Sequence, residues 1–361
     1  MKKLYTLIIA SLLTVTAFNA SAQSSSSSDG GGFDQLIKSS PADAQKLVQA
    51  YANPLFKGFG VGLNSGWNNT AATKKFLHFD IRITANVAQV PVADQSFDVT
   101  QIGLSNHLTV DPTSPTKIAQ TFGGNKDAAN PVMSINNDAG TKISNFTMPK
   151  AVFGYVPAPN VQFTIGLFKN TDVTVRTTPT INLGTDAGSV SMFGFGIKHD
   201  LIQDFAKKGK PKPFDLAIAV NYNRINYTKG LNVQPDAGTT PATSSADFTT
   251  QHISATFSGT NVQAIISKRL LFFTPFASVG YQTSNTDFGV FGNYPVASSS
   301  TTQPNKYIVI TDPVHIVQSG TISGMRGDVG FQLNLLILRI YASYSVGGGY
   351  NSANAGVGLG F

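Results

Sequence analysis

Apolar and polar residues alternate singly along much of this chain. In segment 79–87, Phe79, Ile81, Ile83, Ala85 and Val87 fall on one face, and Asp80, Arg82, Thr84 and Asn86 on the other. Successive side chains of a strand point to opposite faces, so the pattern predicts a two-faced strand. Segment 172–183 repeats it, with Val173, Val175, Ile181 and Leu183 opposed by Asp172, Thr174, Arg176, Thr178, Thr180 and Asn182. Further on, Val329, Phe331, Leu333 and Leu335 oppose Asp328, Gly330, Gln332 and Asn334. Leu338, Ile340, Ala342, Tyr344 and Val346 then oppose Arg339, Tyr341, Ser343 and Ser345, and the chain closes on Ala355, Val357, Leu359 and Phe361 with glycines between.

Extended along the chain, this reading places strands near 57–67, 76–90, 94–104, 160–168, 171–183, 189–200, 214–228, 246–270, 273–291, 314–335, 337–347 and 353–361. That is about twelve, within a range of ten to fourteen, and single-chain bacterial barrels have even strand numbers. The expected fold is all-β, a transmembrane antiparallel up-and-down β-barrel with a short N-terminal helical segment. Connections sort by length in the way such a barrel requires. Turns at Lys169-Asn170, 271–274 and 335–337 are short, while 105–159, 229–245 and 292–313 are long and rich in Pro, Gly, Ser, Thr and Asn. The short set is expected at the periplasmic side, together with a Lys-rich connection from Leu201 to Pro213 that carries Lys207, Lys208, Lys210 and Lys212.

The N-terminal residues change the picture by adding export. Lys2 and Lys3, the apolar run Leu4 to Phe18 and the small-x-small triplet Ala20-Ser21-Ala22 match a secretory signal with cleavage between Ala22 and Gln23. The apolar run is shorter than the roughly 20 residues of a spanning helix. The expected organisation is a signal at 1–22, a flexible Ser/Gly linker at 23–32, a helical periplasmic or plug segment at 33–56, and the barrel at 57–361. In the helical segment Ser40 is the expected N-cap, Pro41 suits the first turn, Asp43 completes a capping box, and Pro54 is the expected stop.

Composition agrees with a barrel. Charged residues are 12% of the chain, against about 25% in soluble domains. Net charge is +7 without a basic stripe, so nucleic acid is not an expected partner. With no cysteine, disulfides, thiol catalysis and a lipid-modified thiol are excluded. His78, His107, His199, His252 and His315 show no metal-ligand spacing. His199-Asp200 is the nearest thing to a catalytic pair, but adjacent strand residues diverge. No enzyme activity, metal or cofactor is expected. Asp80, Arg82, Asp172, Arg176, Lys198, Asp328 and Arg339 all fall on the expected lumen face. They either select solutes or pair across strands to hold the interior together, and the mixture of signs favours pairing.

Four stretches resemble an uncharacterised family of Bacteroidetes outer-membrane barrels. They are Asn64-Ser-Gly-Trp67, Phe79-Asp-Ile-Arg-Ile-Thr84, Gly194-Phe-Gly-Ile-Lys-His-Asp200 and the closing Gly-Val-Gly-Leu-Gly-Phe361. Leu359 and Phe361 end the chain like the C-terminal signal of outer-membrane proteins, which implies outer-membrane lipids and the barrel assembly machinery as partners. A looser similarity, through Asn53-Pro54 and a lumen-associated N-terminal segment, is to the long-chain fatty acid and hydrocarbon transporter superfamily. It implies a monomeric barrel with an N-terminal segment in its lumen. The leading expectation is passage or binding of a small hydrophobic solute, with loop 105–159 as a lid and aromatics Phe122, Phe146, Phe153 and Tyr155 as a capture surface. The alternative from another class is a non-conducting barrel that docks surface or periplasmic proteins.

Overall fold

The alternating segments pair in chain order, each with the next, and the last returns to the first. In the computed structural model, which describes residues 36–37, 39–182, 188–205, 212–235, 237–298 and 306–361, the paired strands are β1 (Phe79–Gln89), β2 (Asn160–Gly166), β3 (Thr171–Asn182), β4 (Ser189–Asp200) and β5 (Asp215–Gly230). They continue with β6 (His252–Ser267), β7 (Phe273–Phe291), β8 (Val314–Leu335), β9 (Leu338–Gly347) and β10 (Tyr350–Gly360). Every neighbour is antiparallel, and β1 pairs with β10 from Asp80 opposite Gly360 to Gln89 opposite Asn351, which closes the barrel. An eleventh strand outside the ring, Tyr155–Pro157, extends the β1 edge at Val87–Gln89. The signal, the Ala22–Gln23 junction, the 23–32 tract, Leu183, Lys207, Lys208 and Lys210 lie outside the described residues.

Faces follow the sequence pattern. On β1, Asp80, Arg82, Thr84 and Asn86 are buried toward the lumen while Ile81 and Val87 are exposed outward. Connections separate into a short-turn end, holding residues 167–170, 268–272 and 336–337, and a long-loop end, holding 90–159, 231–251 and 292–313. A short helix, α2 (Leu201–Phe205), opens the 201–213 connection at the short-turn end.

Two expected strands are overturned. Residues 57–67 do not form a strand, because α1 runs without a break from Pro41 to Asn64. Alternate glycines at 58, 60 and 62 imitate a period of two, yet Phe56, Phe59 and Leu63 recur at helical spacing. Pro54 therefore lies inside α1 instead of ending it. Its missing N–H and ring cost about 3 kcal/mol in an isolated helix, a penalty offset here by burial of that turn. Residues 94–104 do not form one strand either: a 3₁₀ turn, Val92–Asp94, a short strand, Ser96–Asp98, and a second 3₁₀ turn, Val99–Gln101, follow one another there. The Asp98 carboxylate accepts from the Thr100 N–H at 2.9 Å, a local turn that competes with a longer strand. Ten barrel strands remain, starting at Phe79 rather than 57.

α1 occupies the lumen. Its N-cap is Ser40, whose hydroxyl accepts from Asp43 N–H at 3.3 Å and donates to the Asp43 carboxylate at 2.9 Å. Leu47, Val48, Tyr51, Ala52 and Phe56 pack into one apolar core with Met192, Ile225, Ile253, Phe257, Phe288 and Ile316 of the wall. The same core continues into loop 90–159 through Val99, Leu108, Met133, Ile135 and Phe146. That loop is folded, with strands Leu108–Val110, Val132–Asn136 and Lys142–Thr147 paired in a small sheet. A second small sheet pairs Asn293–Ala297 with Lys306–Thr311, and Thr240–Pro241 joins its edge. Loops 90–159, 231–251 and 292–313 thus make a cap over the long-loop mouth, and the start of α1 sits beneath it.

The strand Tyr155–Pro157 and the β7 wall approach α1 from opposite sides. A methyl group at Gly58 would lie 2.4 Å from a Val156 methyl, and one at Gly60 would lie 2.2 Å from Ser284 Oγ. Glycine is required at Gly58 because Val156 is β-branched and cannot rotate away. In a free helix Gly58→Ala would stabilise by about 1 kcal/mol; here we expect a net loss of about 1–3 kcal/mol from overpacking, read as a lower urea midpoint in a refolding bilayer system. A gain in stability would show that the helix stands off the wall.

Candidate functional site

α1 ends at Asn64 inside the barrel, and a helix that ends inside a protein leaves its last four carbonyls without intrahelical partners. Each is accounted for. Val61 O accepts from Ser65 Oγ at 2.7 Å, and Gly62 O from Ser65 N–H at 3.1 Å. Leu63 O accepts from Trp67 Nε1 at 2.9 Å and from an Arg176 Nη at 3.2 Å. Asn64 O accepts from Asn261 Nδ2 at 2.9 Å. Beyond the helix, Ser65 O takes the other Arg176 Nη at 2.9 Å, and Trp67 O takes Arg82 and, at 3.1 Å, Gln162.

Three guanidiniums, Arg82, Arg176 and Arg326, converge on this helix end. Arg176 is fully buried, holds its Cζ 3.8 Å from the centre of the Trp67 ring, and donates from Nε to Gln162 at 2.9 Å. Arg326 reaches Ser65 Oγ at 3.0 Å, Gln282 at 3.1 Å and Ser345 at 2.7 Å, and pairs with Asp328 at 2.6 Å. A planar fork of fixed donors suits carbonyls arrayed at a helix terminus, and positive charge there complements the negative end of the helix dipole.

Below the clamp the connecting segment 65–78 is stitched to the floor. Lys198 donates to Thr70 O at 3.1 Å and Ala72 O at 2.8 Å, and lies 3.2 Å from Asp172. Lys74 pairs with Asp80 at 2.7 Å, and its N–H donates to Asp172 at 2.8 Å. Asp80 also pairs with Arg339 at 2.9 Å. Of the residues expected on the lumen face, Asp80, Arg82, Asp172, Arg176, Lys198 and Asp328 are buried and Arg339 is half-buried; Asp80, Asp172, Lys198, Asp328 and Arg339 are joined in ion pairs, and Arg176 is bound to the plug. Arg82 instead reaches Trp67 O and lies 5.4 Å over the Tyr341 ring.

Sequence reading missed Arg326, Lys74, Ser65 and Trp67 as members of the cluster. Arg326 had a signal, since it shares the face of Asp328 two residues on. Lys74 and Trp67 belong to no strand, so alternation could not place them. The aromatics expected to form a capture surface divide: Phe146 is buried in the cap core, Phe122 packs edge-on against Tyr51, and Phe153 and Tyr155 stack in partial exposure. His199 points to Thr171 and Asp204, at 3.0 and 2.7 Å, while Asp200 binds Gln203 at 2.7 Å. The Thr171 hydroxyl donates to Lys169 O at 3.0 Å. Among the described residues no group of three His or Asp side chains is placed to hold a metal.

The cap has its own electrostatic ties. Hydrogen bonds from Thr100 and then Lys117 bring Asp98 down to about 2. The Lys142 ammonium, 2.5 Å away, with Thr113 and Ser134, holds Asp111 well below the usual carboxylate range.

Over residues 1–361 the chain matches the model of a family described as "Family of unknown function (DUF6588)", and it belongs to that family. No curated protein matches it in sequence. Among solved structures it is similar to the outer membrane protease OmpT of Escherichia coli, at 10% identity and a TM-score of 0.32, covering 82% of this chain and 100% of that one. It is also similar to Ail, the attachment invasion locus protein of Yersinia pestis, at 10% identity and a TM-score of 0.26, over 80% of this chain and all of Ail. The translocator domain of the autotransporter NalP from Neisseria meningitidis aligns at 10% identity and a TM-score of 0.27, over 87% and 96% of the two chains.

Two outcomes follow from this geometry. Arg176→Ala strips a charged donor from two buried carbonyls and should lower stability by about 3 kcal/mol, with Arg176→Lys recovering only part, in urea titrations of the folded barrel. For the cap, Asp98 and Asp111 have folded values below the unfolded value of about 3.9, so their stabilisation is complete above pH ~4 and is lost as pH falls toward 2. Hydrogen exchange of cap amides, corrected for intrinsic rates, should stay flat from pH 7 to about 4 and accelerate below it. Lys142→Gln should bring the folded value of Asp111 back toward the unfolded one, so exchange above pH ~4 becomes faster and the further acceleration below pH ~4 becomes smaller.

Proposed function

We propose that this protein is a closed, non-conducting barrel of the Gram-negative outer membrane that presents a folded cap to protein partners outside the cell. One observation carries the reading: α1 fills the lumen from cap to floor and is tied at both ends. At its upper end Asp43 accepts from Ser105 N–H and hydroxyl at 2.8 and 2.5 Å, and Tyr51 OH donates to Lys150 O at 2.9 Å. Midway, Lys57 pairs with Asp94 at 2.9 Å, and Tyr350 OH from the β9–β10 turn reaches the same carboxylate at 2.7 Å. At its lower end the three arginines hold it. Outward-facing Ile, Val, Leu and aromatic side chains support a membrane position, and loop lengths support an orientation with the cap outside.

In this orientation α1 starts on the outer side and descends to β1, so its first turn faces the exterior. Ala42 is exposed there, and the native chain has no cysteine. Ala42→Cys on intact cells should therefore react with a membrane-impermeant maleimide. A thiol that reacts only after outer-membrane permeabilisation would overturn the orientation.

A second reading rests on the upper lumen. Met192, Ile225, Ile253, Phe257, Phe288 and Ile316 form an apolar chamber that α1 now occupies, which would suit a small hydrophobic solute if the helix moved. Its charged floor opposes passage onward. Vesicles holding the full chain are expected to stay closed to ions and to a fluorescent fatty acid. Uptake of the fatty acid by the full chain, changed by deleting residues 23–56, would favour transport instead.

A further inference from the structure

Two neighbouring hairpins at the short-turn end carry leucine where turn geometry disfavours it. Leu271 and Leu336 have φ of +56° and +57° in two-residue turns, Leu271-Phe272 and Leu336-Ile337. Gly, Asn and Asp dominate such positions, because a side chain with a Cβ rarely adopts this conformation. These leucines also gain nothing from packing within the chain: Leu336 is 100% and Leu271 85% exposed. A strained apolar residue held in the open requires a partner outside the chain.

Height and charge say what that partner is. On β7 the outward residues above Tyr281 are Thr283, Asn285 and Asp287, so the apolar band has its upper edge at Tyr281. From Tyr281 down to Phe273 the strand covers roughly 20 Å of height at ~3.4 Å per residue and a ~40° tilt, short of the ~25 Å that a lipid-facing band needs. Including the turn makes up the difference. An open concavity of about 810 Å³ between the two turns is lined by Arg269, Leu271, Phe272, Asn334 and Leu336. Exposed Lys268 and Arg269 stand beside it, and Lys169 lies on the same rim next to Phe168. Apolar tips rimmed by cations fit a phospholipid surface with anionic headgroups.

We infer that these two turns are an interfacial anchor, sunk into the periplasmic leaflet with Arg269 and Lys268 on anionic phospholipid headgroups. The inference rests on the membrane-spanning reading above. It is tested by site-directed spin labels in the otherwise cysteine-free chain, at Leu336→Cys and, as a control within the band, at Val279→Cys. Collision with oxygen and with a water-soluble nickel chelate is compared in phosphatidylethanolamine vesicles with and without phosphatidylglycerol. The expected result is a Leu336 label several-fold more accessible to oxygen than to nickel, with nickel access rising when phosphatidylglycerol is omitted or when Arg269→Gln is added. A Val279 label in lipid beside a nickel-accessible Leu336 label would overturn the anchor alone. A nickel-accessible Val279 label would overturn the membrane reading itself. A Leu336 label shielded from nickel equally in both lipids and unaffected by Arg269→Gln would remove the anionic-headgroup assignment.

Discussion

A helix that stops within a barrel delivers four carbonyls and the negative end of its dipole to a place with little bulk water. Leaving such groups unpaired costs about 1–3 kcal/mol each, so the lower lumen is organised around answering them. Arg176 answers two carbonyls with one planar group and lies over Trp67, while Arg82 and Arg326 grip the residues that follow. Three buried cations would repel one another if they met only protein dipoles. The carboxylates of Asp80, Asp172 and Asp328 on the same wall offset this. Removing the helix would leave this excess positive charge facing itself, so plug and wall stabilise one another.

The division of the lumen into an apolar upper chamber and a charged floor follows from α1 itself. As far as Phe56 it carries Leu47, Val48, Tyr51 and Phe56, which seek apolar wall, and its last turns carry glycines that let the wall close in. The wall residues match each level in turn. This correspondence along the axis fixes how deep the helix sits, since a one-turn descent would bring Phe56 to the level of Gly60, where Ser284 leaves no room even for a methyl group.

Alternation made the wall legible because each strand has one lipid face and one lumen face, and nothing else in the chain needs that pattern. The faces of Asp80, Arg82, Asp172, Arg176, Lys198, Asp328 and Arg339 were readable for the same reason. What they touch was not, because their partners are backbone oxygens of Leu63, Ser65, Trp67, Thr70 and Ala72, which any sequence supplies equally. Residues 57–64 were misread because glycines serving a close approach in a helix have the spacing of a strand. The cap sheets were hidden as well: their strands are three to six residues long, too short to show a period, and their apolar residues answer to α1 rather than to lipid.

The route of the chain through its own barrel also constrains how the molecule can be made. α1 precedes β1 and lies enclosed by all ten strands, with its upper end wedged under a folded cap and its lower end held by the arginines. Pulling that segment through a finished ring would drag Tyr51 and Phe56 past a wall that, at Ser284, leaves no room for a methyl group on Gly60. Laying the segment down first, and then joining β1 to β10 around it, avoids that passage. The last seam to form is thus the one between the first strand and the glycine-alternating C-terminal strand. There Gly356 and Gly358 give the backbone room to approach Ile81, Arg82, Ile83 and Thr84 of β1, and the tightening of the ring and the locking of its contents become a single event.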